Sequence, residues 1–217
     1  MERSRFLSRV EEAVGAATLP GLPAPHPGDA VPDLAEVDLT PHFVEAFELL
    51  DGVVHHRPPL EVISQVMEER GAQEFLAWDQ EHLPADGLLA ALAESGYRRA
   101  STCLPSDPEG RVAHQMGYMH AVVGVSAALA AFAESGSVVV GSGRGRSRLA
   151  SVIPAVHVVL VPTDRIFRSL SHWAAQADSP GSLANLVFVT GPSRTGDIEL
   201  TLTKGVHGPG EIHAVLL

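Results

Sequence analysis

Cysteine is nearly absent from this chain of 217 residues, Cys103 being the only one. Its isolation excludes an intramolecular disulfide and any iron–sulfur cluster held by the chain's own thiolates. Long apolar runs are missing as well. The longest, Ala127 to Ala133, has seven residues, where a membrane-spanning helix needs roughly 20. The opening stretch MERSRFLSRVEEAV carries charges of both signs through its apolar positions and lacks the continuous apolar core of a secretory signal. These absences predict a cytoplasmic protein with no transmembrane segment. Positive charge is also scarce: 15 basic against 26 acidic side chains give a formal net charge of −11. Nucleic-acid binders neutralise phosphates with an excess of Lys and Arg, so this balance argues against one.

The charge is unevenly spread. Residues 1–100 hold 18 acidic and 7 basic side chains, whereas residues 101–217 hold 8 of each. The second half is therefore free to receive an anion. At 45% hydrophobic residues the chain has length and apolar content for a proper core. Residues 4–17 place Phe6, Val10, Ala13, Val14 and Ala17 at helical spacing. The following TLPGLPAPHPGDAVPD is too rich in proline for regular structure. Residues 1–38 thus read as a helical arm on a Pro-rich tether, and residues 39–217 as one domain.

Within that domain strands and helices alternate. The pattern predicts helices over 40–51 (with Phe43, Phe47 and Leu50 on one face), 59–70, 85–95, 127–133, 148–153 and 164–175, and a polar turn at SDPEGR. Strands are predicted over 74–78, 99–103, 120–125, 137–140, 156–161, 186–190 and 212–217. Continuous apolar runs such as Val158 to Val161 suit strands buried on both faces. The fold class expected is α/β, an open and largely parallel sheet with helices on both sides. Trp78 and Trp173 read as packing residues, on an edge strand and on the last long helix.

Ligands of open sheets bind beyond strand ends, which directs attention to loops. Gly141-Ser142-Gly143-Arg144-Gly145-Arg146-Ser147-Arg148 combines a permissive backbone with three arginines; it is either an anion receptor or a solvated basic loop. Gly191-Pro192-Ser193-Arg194-Thr195-Gly196-Asp197-Ile198-Glu199 reads as the start of a helix near Gly196, capped by Ser193 or Thr195 with Asp197 in the first turn. There Arg194 needs an anion or carboxylate to answer its charge. Lys204-Gly205-Val206-His207-Gly208-Pro209-Gly210 is a tight turn that leaves His207 reachable, as an acid–base group or a solvated turn histidine. Glu134, at the end of the expected 127–133 helix, is a general base or covalent carboxylate, or else the ion-pair partner of Arg144, Arg146 or Arg148. The eleven histidines show no zinc-type spacing, so no metal is expected. Cys103 has no nucleophile signature.

Two stretches resemble a known family. AESGSVVVGSGRGRSRLASVIPAVHVVLVPTDRIF (133–167) is similar to the E-T-G-T … R-L … P-x-x-H-I region of the LUD domain, and VTGPSRTGDIELTLTKGVHGPGEIHAVLL (189–217) to its G-P-S-R-T-A-D-I-E … G-V-H-G-P … H-V signature. Ser135 and Ser137 stand where the family has threonines and Gly196 where it has alanine; the hydroxyls survive. Lacking a cysteine-cluster extension, the chain resembles the short C-type branch rather than the B-type, which adds iron–sulfur ligands. The resemblance implies the fold of glucosamine-6-phosphate deaminase, ribose-5-phosphate isomerase and coenzyme A transferases. It also implies a part in oxidising L-lactate to pyruvate with the iron–sulfur partners, lactate utilization proteins A and B. On that reading the chain binds no cofactor itself, and Arg194 with the Arg144–Arg148 loop clamps a small carboxylate or phosphate. Ser193, Thr195, Asp197, Glu199 and Lys204 complete that site, with Glu134 and His207 as its acid–base groups. Two other expectations stand beside it: a stand-alone enzyme acting on a sugar phosphate or acyl thioester, and a scaffold whose acidic arm docks a partner.

Overall fold

The computed structural model describes residues 3–16, 38–102, 106–176, 183–196 and 202–217. Its internal contacts separate two units, 1–34 and 35–217. In the first, α1 (Arg3–Ala16) is a helix with Leu7 partly exposed. The Pro-rich tether, Cys103, Asp197 and Glu199 lie outside the described residues.

The second unit opens with α2 (Thr40–Leu49), whose Pro41 sits in the first turn and whose Phe43 and Phe47 are fully buried. The chain then runs through β1 (Val53–His55), α3 (Pro59–Glu69), β2 (Glu74–Ala77), α4 (Leu88–Glu94) and β3 (Arg98–Arg99). Next come α5 (Pro108–Gly117), β4 (Ala121–Ala127), β5 (Ala130–Phe132), β6 (Ser137–Ser142) and α6 (Leu149–Val152). After β7 (Val156–Val161) and β8 (Ile166–Phe167) follow α7 (Leu170–Gln176), β9 (Asn185–Val189), β10 (Arg194–Gly196), β11 (Leu202–Lys204) and β12 (Glu211–Leu216).

Six strands form one sheet in the order β1-β12-β7-β4-β2-β3, and every pairing in it is parallel. Parallel strands need crossovers, and the helices supply them on the sheet's faces. The central β7, VHVVLV, is buried at every position. Alternation along the strands puts Gly124, Ser126, His157 and Ile212 on one face with α6, where Gly124 meets the Ala150 carbonyl. His55, His213 and Val158 lie on the other, beside Glu69 at the end of α3. A second sheet, β8-β5-β6-β9, is mainly antiparallel. Its Val138 and Val140 join the main core, while Phe132 and Val139 form a smaller cluster with Trp173 and Phe167.

The α/β class and parallel sheet agree with expectation, and several local readings are corrected. Residues 127–133 are strand, ending β4 and forming β5, not helix. Alanine favours helix intrinsically, but here small side chains on both strands permit close sheet packing, and burial overrides propensity. SDPEGR is the start of α5 rather than a turn: Asp107 Oδ1 accepts the Gly110 N–H at 2.6 Å, with Pro108 opening the helix. The 164–175 helix is shortened to α7 by β8. The stretch near Gly196 is β10, paired antiparallel to β11, so Ser193 and Thr195 cap nothing there. Trp78 follows β2, an interior strand.

Candidate functional site

A cavity of about 340 Å³ opens between α6, the amino halves of β7 and β12, and the end of β9. The residues after β9 and those before β12 build its mouth jointly. The Ser193 N–H donates to the Pro209 carbonyl at 2.8 Å, and the Gly205 N–H donates to the Ser193 carbonyl at 2.9 Å. These bonds staple the His207 loop to Ser193. A third, from the Gly210 N–H to the Ala155 carbonyl at 2.9 Å, anchors it beside β7. Arg148 and Ser151 line the cavity from α6, Thr190 and Gly191 from the end of β9, and Ser193, His207 and Gly208 from the stapled loops. Arg148 is exposed and has no carboxylate partner among the described residues.

The inner wall carries His157, 1% exposed. Its Nε2 is 2.7 Å from Ser126 Oγ, and its Nδ1 is buried without a partner among the described residues. Burial pushes its imidazole down to about 4, because a charged ring loses solvation there. His157 is thus neutral at pH 7. A chain of hydroxyls also reaches the cavity: Ser135 Oγ to Ser137 Oγ at 2.9 Å, and Ser137 Oγ to Thr190 Oγ1 at 2.8 Å. Arg148, several hydroxyls and a reachable histidine suit a small anion with hydroxyl or carbonyl oxygen beside its charge.

The residues singled out in the sequence divide into groups. Arg148, Ser193 and His207 share the cavity. Arg194 and Lys204 converge instead on Asp51 Oδ2, each at 2.8 Å, and Arg194 also donates to the Leu50 carbonyl at 2.9 Å. The Lys204 hydrogen bond, then the charges of Lys204 and Arg194, hold the Asp51 carboxyl below its usual range. Thr195 pairs with Thr203 in the β10–β11 ladder. Gly141 and Ser142 are buried ladder partners of Leu186 and Asn185. Gly143 and Arg146 exchange backbone hydrogen bonds in a tight turn that exposes Arg144. Glu134 is exposed in the β5–β6 turn, not at a helix end, and makes no ion pair with Arg144, Arg146 or Arg148 among the described residues. No group of three or more metal-ligating side chains occurs among the described residues.

Sequence reasoning passed over His157, Ser151, Thr190 and Asp51. His157 was signalled by the Pro-x-x-His stretch, and Thr190 by its place before Gly191. Asp51 has φ 64, a left-handed conformation that Asp tolerates better than most residues.

A family model described as the LUD domain matches residues 35–217. Lactate utilization protein C of Halalkalibacterium halodurans is 30% identical over 156 residues, covering 69% of this chain and 64% of that protein. The protein of the same name from Macrococcus caseolyticus is 30% identical over 154 residues, covering 69% and 63%. The matched region thus spans a little under two thirds of these relatives' own length. A crystal structure of a DUF162 family protein from Deinococcus radiodurans superposes with a TM-score of 0.55 at 18% identity, covering 82% of this chain and 95% of that one, and shares its fold. No helix among the described residues is long and apolar enough to cross a membrane. Motif segments from Arg148 to Pro209 meet around one cavity inside the matched region, and the chain belongs to the LUD domain family.

Proposed function

We propose that this chain is a subunit of an L-lactate utilization system, working in the cytoplasm with iron–sulfur partner proteins and binding a small carboxylate in the Arg148–His207 cavity. The observation that carries this reading is the convergence of separate motif segments. Arg148, His157, Ser193 and His207 line one space, and the Ser135–Ser137 segment reaches it through Thr190. Arg148 pairs with the carboxylate, for which a guanidinium offers a two-pronged fit. Ser193 and Thr190 orient the ligand's remaining oxygens, and His207, exposed at the mouth, is placed to take or return the hydroxyl proton. The names of the relatives support lactate as the substrate class.

Converting lactate to pyruvate releases two electrons and two protons. Iron–sulfur clusters supply one-electron transfer and are held by sets of Cys thiolates, and the single cysteine of this chain cannot furnish such a set. The electrons therefore pass to partners, for which lactate utilization proteins A and B are the candidates. Affinity purification of the tagged chain from lactate-grown cells is expected to retain cluster-bearing proteins and lactate-dependent dye reduction. Arg148→Gln is expected to lower that activity at least about tenfold. If the chain purifies alone and by itself turns over a sugar phosphate or acyl thioester, the stand-alone enzyme replaces this reading.

A further inference from the structure

We propose a second ligand site, sharing no lining residue with the Arg148 cavity, that takes the phosphoryl group of a small metabolite at the carboxyl ends of β2, β4 and β7. A cavity of about 280 Å³ lies there, bounded by Trp78, His82, Leu129, Arg146 and Arg165. Its place in the topology is the first argument. From β2 the chain crosses outward to β3, whereas from β4 it crosses the other way to β7, and β2 and β4 are neighbours. Connections that diverge from adjacent parallel strands leave a crevice beyond their carboxyl ends, and open α/β sheets bind ligands in that crevice.

The polar groups of the cavity form a built arrangement. The Asp79 N–H donates to the Gly145 carbonyl at 2.7 Å, and His82 Nε2 lies 3.1 Å from the Arg144 carbonyl. Gly145 has φ +72, and a Cβ there would fall 2.7 Å from the His82 ring; only glycine lets the turn come this close. The turn so held lays the Arg146 guanidinium over Trp78, 5.9 Å from the ring centroid. Arg146 Nε and Trp78 Nε1 are both buried without a hydrogen-bond partner among the described residues. Buried donors left unpaired are costly, and a ligand oxygen is the partner such a site lacks.

Charge selects the ligand. The nearby Asp79 carboxylate is already engaged by Arg99 at 2.6 Å, and Glu81, which also lines the cavity, is largely exposed to solvent, 3.4 Å from His82. Arg146 and Arg165 have no carboxylate partner among the described residues. Two guanidiniums set against the solvent-exposed Glu81 carboxylate match a phosphate dianion better than a carboxylate, and Leu83, Pro84 and Leu129 give a carbon skeleton an apolar wall.

Trp78 reports on the site once Trp173, the only other tryptophan, is replaced in a Trp173→Phe background. In the full chain at constant ionic strength, inorganic phosphate or glycerol 3-phosphate is expected to change Trp78 emission saturably. Tighter binding of the ester identifies an organic phosphate; equal binding identifies phosphate itself. Arg146→Gln and, separately, the exposed Arg165→Gln should each weaken the response at least about tenfold, while Arg148→Gln should leave it unchanged. No saturable change with either probe, the same change with chloride, or retention of binding in both Arg146→Gln and Arg165→Gln would overturn the site. L-Lactate titrated in parallel separates this result from the carboxylate reading, since only Arg148→Gln is expected to affect it.

Discussion

Gly124→Ala is expected to destabilise the protein by about 3 kcal/mol or more, a fall in melting temperature of roughly 6–12 °C for a domain of this size. The added Cβ would lie 1.8 Å from the Ala150 carbonyl oxygen and 2.8 Å from Pro154 Cγ. The first of these is helix backbone and cannot rotate away. Either α6 lifts off the sheet or β4 bends, and both movements open the contact that seats Arg148 and Ser151 over His157. Carboxylate binding should therefore weaken together with stability. Gly117→Ala is the control. Among the described residues nothing lies within 4 Å of its added methyl, and alanine at the end of α5 is neutral to mildly stabilising. Thermal unfolding of the two variants checks this, and equal melting temperatures would show that α6 does not rest on Gly124.

Acidification from pH 7 to pH 4 is expected to remove about 3 kcal/mol of stability through His157 alone. Its imidazole is lowered from 6.5 to about 4 by burial. Between those values the unfolded chain binds a proton that the folded chain excludes, so stability is full above about pH 6.5 and falls as pH drops toward 4. His55 and His213 act in the same direction, lowered first by burial; their rings stack with centroids 5.1 Å apart. His157→Gln keeps a hydrogen-bonding group near Ser126 and removes the titration. Urea midpoints measured from pH 7 to pH 5 should fall less steeply for the variant than for the parent. Identical slopes would mean that His157 does not stay neutral in the fold.

What the sequence made legible depended on how local each signal was. Val158–Val161 is a continuous apolar run, and the strand around it, Val156–Val161, appears in the structure with the expected limits. The first turn of α5 was equally local, with Asp107 before Pro108, yet the polar composition of SDPEGR masked it. Ala130–Phe132 was not local. Its strand identity comes from pairing with β6 and β8, partners that no propensity reveals. The three-residue β1 owes its existence to β12, more than 150 positions away.

The site shows the same division. The motif segments named Arg148, Ser193 and His207, and the fold brought them together. The sequence singles out Arg194 by the charge of an expected helix terminus, and with β10 in place of that helix the electrostatic reason changes. Asp51, distant in sequence and exposed beside Leu50, answers both Arg194 and Lys204. In the sequence Arg146 and Arg148 belong to one basic loop. The Gly143–Arg146 turn separates them, directing Arg146 to Trp78 and leaving Arg148 at the head of α6.

The proposed carboxylate site in the Arg148–His207 cavity is tested most directly by isothermal calorimetry of the purified chain with L-lactate and pyruvate, comparing the parent, Arg148→Gln and Arg194→Gln. Binding to the parent, weakened at least about tenfold by Arg148→Gln and kept by Arg194→Gln, is the expected result. Absence of heat with the parent, or loss of binding in Arg194→Gln while Arg148→Gln retains it, would contradict the placement of the site.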